Sequence, residues 1–300
     1  MQPELLFFVG KGGVGKSTVS ATTALYCAKA RQKTLLVSMD PAHNQKDIFQ
    51  KTFSETPCRV TPFLDVKEVD TDYWIRAYLK ETEKTVKRTY SYESAFNLEN
   101  YFNVLQFSPG LEEYALLLAL ESTLKTSASG HLKIIFDMAP TALSLRFFSL
   151  PFITLVWLEA LLKLRKQILE KKEIITKIQT GSKEIETDRV KARLDVLIEK
   201  YQHVCHLFRS MTSRICLVMN DDRLSFSEAF RIKDKLSEIG IPIDSVVINK
   251  VAQHAISDEI YHTFKGQKIH LFPLASEGVM GCRAIERYVN ANPGSFRNLA

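Results

Sequence analysis

Six short apolar runs recur along the chain: 5–9 (LLFFV), 34–39 (TLLVSM), 133–138 (KIIFDM), 215–219 (ICLVM), 245–249 (SVVIN) and 269–273 (IHLFP). They are continuous and do not alternate. A strand with one wet face alternates with period two, whereas a strand covered on both faces is apolar throughout. The runs therefore predict a mostly parallel sheet with helices on both sides. Residues 18–30 read as the first covering helix. Residues 223–240 (RLSFSEAFRIKDKLSEIG) read as another, with Gly240 as its stop.

Two longer stretches break this rhythm. Residues 72–127 are helical in pattern and moderately charged. Residues 151–212 hold no strand signal and read as two long helices broken near Thr180–Ser182. The first of these helices is apolar on more than one face, so part of it must be covered by something. The expected architecture is a single α/β domain over 1–300. It has a doubly wound sheet and an inserted helical subdomain formed by about 72–127 and 151–212.

Composition narrows the class. A 45% apolar content over 300 residues supports a sizeable core. Cys27, Cys58, Cys205, Cys216 and Cys282 stand far apart, form no CxxC and have no histidine at zinc spacing. They read as thiols of a reducing compartment. No charged leader precedes the first strand, so no signal peptide is expected. The apolar run 147–158 is shorter than the roughly 20 residues a bilayer-crossing helix needs. The net charge of +6 is concentrated, because residues 151–214 carry 13 Lys/Arg against 8 Asp/Glu. A basic region beside an apolar run suits an acidic lipid or nucleic-acid surface, or is simply a solvated helix face.

The chemistry starts directly after the first run. GKGGVGKS, Gly10–Ser17, matches G-x-x-x-x-G-K-[ST] between a predicted strand and a predicted helix, the context this phosphate loop requires. Gly12, Gly13 and Gly15 permit backbone angles that turn N–H groups, with that of Val14, toward phosphate oxygens. Lys16 is expected to reach the β- and γ-phosphates, the Ser17 hydroxyl to ligate Mg²⁺, and Thr18 to meet the α-phosphate. Lys11 is surplus to an ordinary loop. The K-G-G-x-G-K-[ST] form resembles the deviant Walker A class, which implies a lysine reaching across a homodimer interface to the partner's nucleotide.

Further pieces sharpen the resemblance: SMDPAHNQKDIF (38–49), FSPGLEEYALL (107–117), FDMAPTALSLRFFSLP (136–151), VVINK (246–250) and FPLASEGVMG (272–281). Together they resemble the arsenite-pump (ArsA) and tail-anchored-protein targeting (Get/TRC pathway) ATPase family from about residue 4 to 290. The resemblance implies catalytic roles for Lys11, Lys16 and Asp40, with Asp40 orienting the attacking water. It implies that Asn44 senses the γ-phosphate and that Asp137 holds Mg²⁺ through water. Pro140 and Thr141 would belong to the second switch, Asn249 would read adenine, and Pro273 and Leu274 would flank the base. His43 reads as structural.

The departures are informative. Met138, Ala142, Leu143 and Ser144 stand where the family usually has Thr, Gly, His and Thr. With no CxxC, no zinc clasp is expected. With no cysteine between 58 and 205, a metalloid site of the pump type is not expected either. The reading is a cytoplasmic Mg²⁺–ATP hydrolase, peripheral to a membrane, that cycles between ATP and ADP as a homodimer. It would hold a transmembrane-helix client in a groove including Phe152, Val156, Trp157 and Leu161. Nucleic acid is not expected as a partner. The alternatives are the energising subunit of an arsenite or anion pump and a ParA/MinD-like positioning ATPase.

Overall fold

The computed structural model describes residues 3–89, 105, 108–127, 130–180, 188–252 and 257–299, of which 86–89 and 172–180 are described by backbone alone. Eight strands form one sheet: β1 (Glu4–Gly10), β2 (Thr34–Ser38), β3 (Cys58–Thr61), β4 (Leu64–Glu68), β5 (Lys133–Asp137), β6 (Ser213–Asn220), β7 (Ser245–Val251) and β8 (Lys268–Pro273). Their order is β3-β4-β2-β5-β1-β6-β7-β8. Every pairing is parallel except β3–β4, which is antiparallel.

All six predicted runs are strands, and their continuous apolarity has the expected cause. On one face of the sheet Leu6, Phe8, Leu36, Ile135 and Val218 join a core with Val19 and Leu25. On the other, Phe7 and Phe136 lie in register and stack with centroids 4.7 Å apart. Each fully buried side chain of this size contributes about 1.5–3 kcal/mol.

β3 and β4 are not among the predicted runs. Their sequences, CRVT and LDVKE, read as polar because β4 buries its charges with partners while Arg59 of β3 stays exposed. Asp65 takes Arg59 at 3.1 Å and His131 at 2.9 Å, and Lys67 takes Glu55 at 3.4 Å.

The helices are α1 (Lys16–Lys29), α2 (Asn44–Phe49), α3 (Thr71–Thr89), α4 (Leu111–Ser127), α5 (Thr141–Thr180), α6 (Arg189–Arg209), α7 (Arg223–Glu238), α8 (Asp258–Thr263), α9 (Cys282–Ala291) and α10 (Pro293–Phe296). The predicted stop at Gly240 is present. Gly240 has φ 73° and donates to Ser237 O, while Ile241 N–H returns to Leu236 O, closing α7 with a Schellman turn.

The chain divides into two compact units, one of 1–147 with 211–300 and one of 148–210. α3 and α4 pack on each other, with Tyr78 and Tyr114 rings 4.7 Å apart, and fall in the sheet unit. The expected helical subdomain joined them to 151–212. Much of the segment between α3 and α4 lies outside the described residues.

The second unit is an antiparallel helix pair. Phe148 meets Phe208 at 5.0 Å, the Arg209 guanidinium covers the Phe152 ring at 4.4 Å, and Arg165 forks onto Asp188 at 3.0 Å. Asp188 also caps α6 by accepting from Val190 N and Lys191 N.

One expectation needs correction. The run 147–158 is too short to span a bilayer, yet Thr141–Lys171, 31 residues of α5, is long and apolar enough by length and composition alone. Single charges such as Glu159 and Lys163 interrupt the run in the sequence without interrupting the helix.

Candidate active site

The carboxyl ends of β1, β2, β5 and β7 meet at a cavity of about 780 Å³. In a doubly wound sheet this is where ligands bind. Of the predicted residues, Gly12, Gly13, Gly15, Lys16, Ser17, Thr18, Asp40, Asn44, Pro140, Asn249, Pro273 and Leu274 line it. Asp137 lies fully buried beneath it, and Gly10 and Val14 belong to the loop's base, Val14 being buried in the core. Lys11 offers its carbonyl to Lys16 Nζ at 3.2 Å.

The loop's glycines have a spatial reason. Gly15 has φ 91°, and a Cβ there would stand 2.3 Å from Asn249 Nδ2. Only glycine lets Asn249 come close enough to donate from Nδ2 to Val14 O at 2.7 Å. The Asn249 Oδ1 carries no such bond to the loop, which leaves an acceptor for an exocyclic amine.

Asp137 ends β5. Its Oδ2 accepts from Gln45 Nε2 at 2.9 Å, while Oδ1 has no partner among the described residues. Burial pushes its carboxyl up to about 6, opposed by hydrogen bonds from Ser17 and Gln45 and by the charge of Lys16. The same burial pulls the Lys16 ammonium below its ordinary value, and Asp137 and Asp40 pull it back. A buried orphan carboxylate oxygen beside the Ser17 hydroxyl is a hard-oxygen set that fits Mg²⁺.

Asp40 is buried and closes an Asx turn. Its Oδ1 accepts from Ala42 N–H at 3.0 Å and its carbonyl from His43 N–H at 3.0 Å. His43 sits at φ 50° with Nδ1 3.9 Å from Glu68 Oε2. Thr141 starts α5 with its hydroxyl buried and unpartnered among the described residues. Of the four residues at the proposed client groove, Val156, Trp157 and Leu161 are exposed, whereas Phe152 is half-buried under Arg209.

Several site residues carry no signal of their own in the sequence. Gln45 is fully buried and bridges Ser17 O (3.1 Å), Ser20 Oγ (3.3 Å) and Asp137. Tyr288 lines the cavity and donates to Pro273 O at 2.8 Å, which holds the loop at the end of β8. Its phenol is pushed up to about 12 by burial. Lys250 lines the cavity and reaches Gly13 O at 3.1 Å. Only adjacency to Asn44 and Asn249 could have drawn notice to Gln45 and Lys250. Among the described residues, no group of three or more His, Cys, Asp or Glu could hold a metal ion, and all five cysteines are free.

Comparison with known proteins agrees with this geometry. The chain is 29% identical to the putative arsenical pump-driving ATPase 2 of Aquifex aeolicus, over 85% of this chain and 82% of that protein. It is 26% identical to the ATPase GET3A of Arabidopsis thaliana, over 94% and 82%. It is 28% identical to an ATPase ASNA1 homolog of Babesia bovis, over 83% and 66%. The family model described as anion-transporting ATPase matches residues 3–291, and with the glycine-rich loop, the buried Asp40 carboxylate and the Asn249 amide around one cavity, the protein belongs to that family and is an ATPase.

Proposed function

We propose that the protein hydrolyses Mg²⁺–ATP as a nucleotide-gated homodimer on the cytoplasmic side of a membrane and uses the cycle to hold and release a hydrophobic transmembrane helix. The observation that carries the client reading is on α5. Ile153, Val156, Trp157, Leu161, Leu164 and Ile168 are exposed, with Val156 and Trp157 each at 67%. At 100° per residue they fall within an arc of about 140° and run for about 22 Å along the helix. An exposed stripe of that shape suits a helical apolar partner. Residues 151–214 carry a basic excess in sequence, which favours a client that emerges next to acidic lipid. The helix that carries the stripe is the one that begins at Thr141, beside cavity residue Pro140.

In the reaction Asp40 orients a water whose oxygen bonds to the γ-phosphorus as the bond to the bridging oxygen breaks, leaving ADP and phosphate. Lys16, and Lys11 from the partner subunit, neutralise charge that gathers on the phosphoryl oxygens. Ser17 and Asp137 would hold Mg²⁺, which would supply further neutralisation of that charge. Asn249 reads the adenine edge between Pro273 and Leu274. Asn44, Pro140 and Thr141 sense whether the γ-phosphate is present. Light scattering of Asp40→Asn with Mg²⁺–ATP, with and without a model tail-anchored helix, tests this. Dimers or tetramers that keep the helix soluble are expected; a helix that precipitates in every nucleotide state refutes the client reading. The name of the Aquifex relative favours one second reading, the energising subunit of an arsenical pump. That reading requires arsenite or antimonite to stimulate ATPase activity.

A further inference from the structure

Two neighbouring residues at the end of β7 grip two neighbouring carbonyls of the phosphate loop. Asn249 Nδ2 donates to Val14 O at 2.7 Å, and Lys250 Nζ donates to Gly13 O at 3.1 Å. Lys250 does this from a left-handed backbone, φ 56°, that non-glycine residues adopt only at a cost. The side chain is exposed, so no core packing explains that conformation. Gly13 is itself exposed at the loop's tip, with φ 83°.

We propose that Lys250 is a positioning residue for phosphate binding, acting with Asn249 as a clamp that aims the loop's N–H groups at the nucleotide's phosphates. The planar peptide bond couples each carbonyl to the next N–H. The described residues contain no cis peptides, so each carbonyl of the loop and the following N–H lie on opposite edges of one rigid plane. Holding Gly13 O toward Lys250 turns Val14 N–H away from it. Holding Val14 O toward Asn249 does the same for Gly15 N–H. Among the described residues no protein acceptor takes the N–H of Val14 or of Gly15, so both donors remain for a ligand. The ammonium on Gly13 O also polarises the peptide whose N–H would meet an anion, strengthening that donor. A tip held only by glycines would sample many conformations, and the clamp reduces that freedom before the phosphates arrive.

The inference rests on the cavity being the nucleotide site, and the test separates the two ideas. Displacement of a fluorescent ADP analogue would be followed with ADP, inorganic tripolyphosphate and adenosine for wild type, Lys250→Met and Lys250→Arg. Methionine keeps the stem and removes the charge. Lys250→Met is expected to weaken ADP and tripolyphosphate alike, by about three- to tenfold for a partly exposed charge-assisted bond. It should leave adenosine unchanged, and Lys250→Arg should recover most of the loss. Unaltered tripolyphosphate affinity in Lys250→Met overturns the clamp, as does equal weakening of all three ligands, which would mark a merely structural lysine. Failure of the wild type to bind ADP at all would instead overturn the reading of the cavity, and the clamp with it.

Discussion

The two units of the molecule invert the usual rule of burial in opposite ways. In the sheet unit, polar and charged groups go inside: Asp137, Gln45, Lys16, Asp40 and Asn249 are all buried. In the helix-pair unit, large apolar groups stay outside: Ile153, Val156, Trp157 and Leu164 are each more than half exposed. Burying a charge costs free energy unless it is paired, and exposing a large apolar side chain forgoes the gain of burial. Each unit therefore carries a local cost that packing alone does not explain. The first is offset by a hydrogen-bonded network around a polar ligand site. The second would be offset by an apolar partner. The buried polar cavity and the exposed apolar stripe thus sit in different units, and one helix, α5, belongs to both.

The comparison can be broken first at the charges of the sheet unit. Lys16→Ala should lower ATP turnover at least ~100-fold, and Asp40→Asn should keep ATP binding while slowing hydrolysis by about 10²–10⁴-fold, read as phosphate release and nucleotide affinity. Lys11→Ala should bind ATP yet hydrolyse about 100-fold more slowly if the lysine serves a partner's nucleotide. Full activity of that variant at every protein concentration would assign Lys11 to the surface.

The opposite unit gives the next test. Trp157→Asp, alone and with Val156→Asp, should weaken capture of an apolar helix more than about tenfold, the behaviour of a contact hot spot. As an exposed substitution it should shift stability by only about 0.5 kcal/mol. A large fall in melting temperature would mean that the stripe is covered within the protein itself.

The sheet unit also carries a pH dependence, at Asp137. In the folded chain its carboxyl is pushed up from 3.8 to about 6 by burial. The folded state then holds a proton that the unfolded state has lost between those values, so stability falls as pH rises through about 6. The difference is about 3 kcal/mol once both states are ionised. Asp137→Asn removes this term. With chelator present, the variant should melt about 5 °C above wild type near pH 8 and match it near pH 4. Parallel melting curves at all pH values would show that the carboxylate is already stabilised by its hydrogen bonds.

Much of the sheet was legible because its strands are covered on both faces, and the apolar runs carry that directly. β3 and β4 were not, because the charges of β4 are buried only once partners from other segments reach them, Glu55 at Lys67 and His131, 66 positions away, at Asp65. The same divide runs through the site. The phosphate loop is contiguous, so spacing alone identifies it. Gln45, Lys250 and Tyr288 act on residues 92, 237 and 15 positions away, and nothing local distinguishes them from other polar side chains. Phe152 shows the reverse case: its place in an apolar run reveals nothing of Arg209, which lies over its ring from the facing helix.

What the sequence by itself determined was therefore what depends on neighbours in the chain: the apolar strands, the stop of α7 at Gly240, the loop Gly10–Ser17, and the family those motifs belong to. What only the tertiary structure decided was what depends on separate elements meeting. It placed Asn249 against Gly15, Gln45 against Asp137, and Lys250 against Gly13, and it left Val156 and Trp157 facing outward. Local conformational preference is encoded in a few adjacent residues. Burial, desolvation and the pairing of distant polar groups come into existence only when the chain has packed.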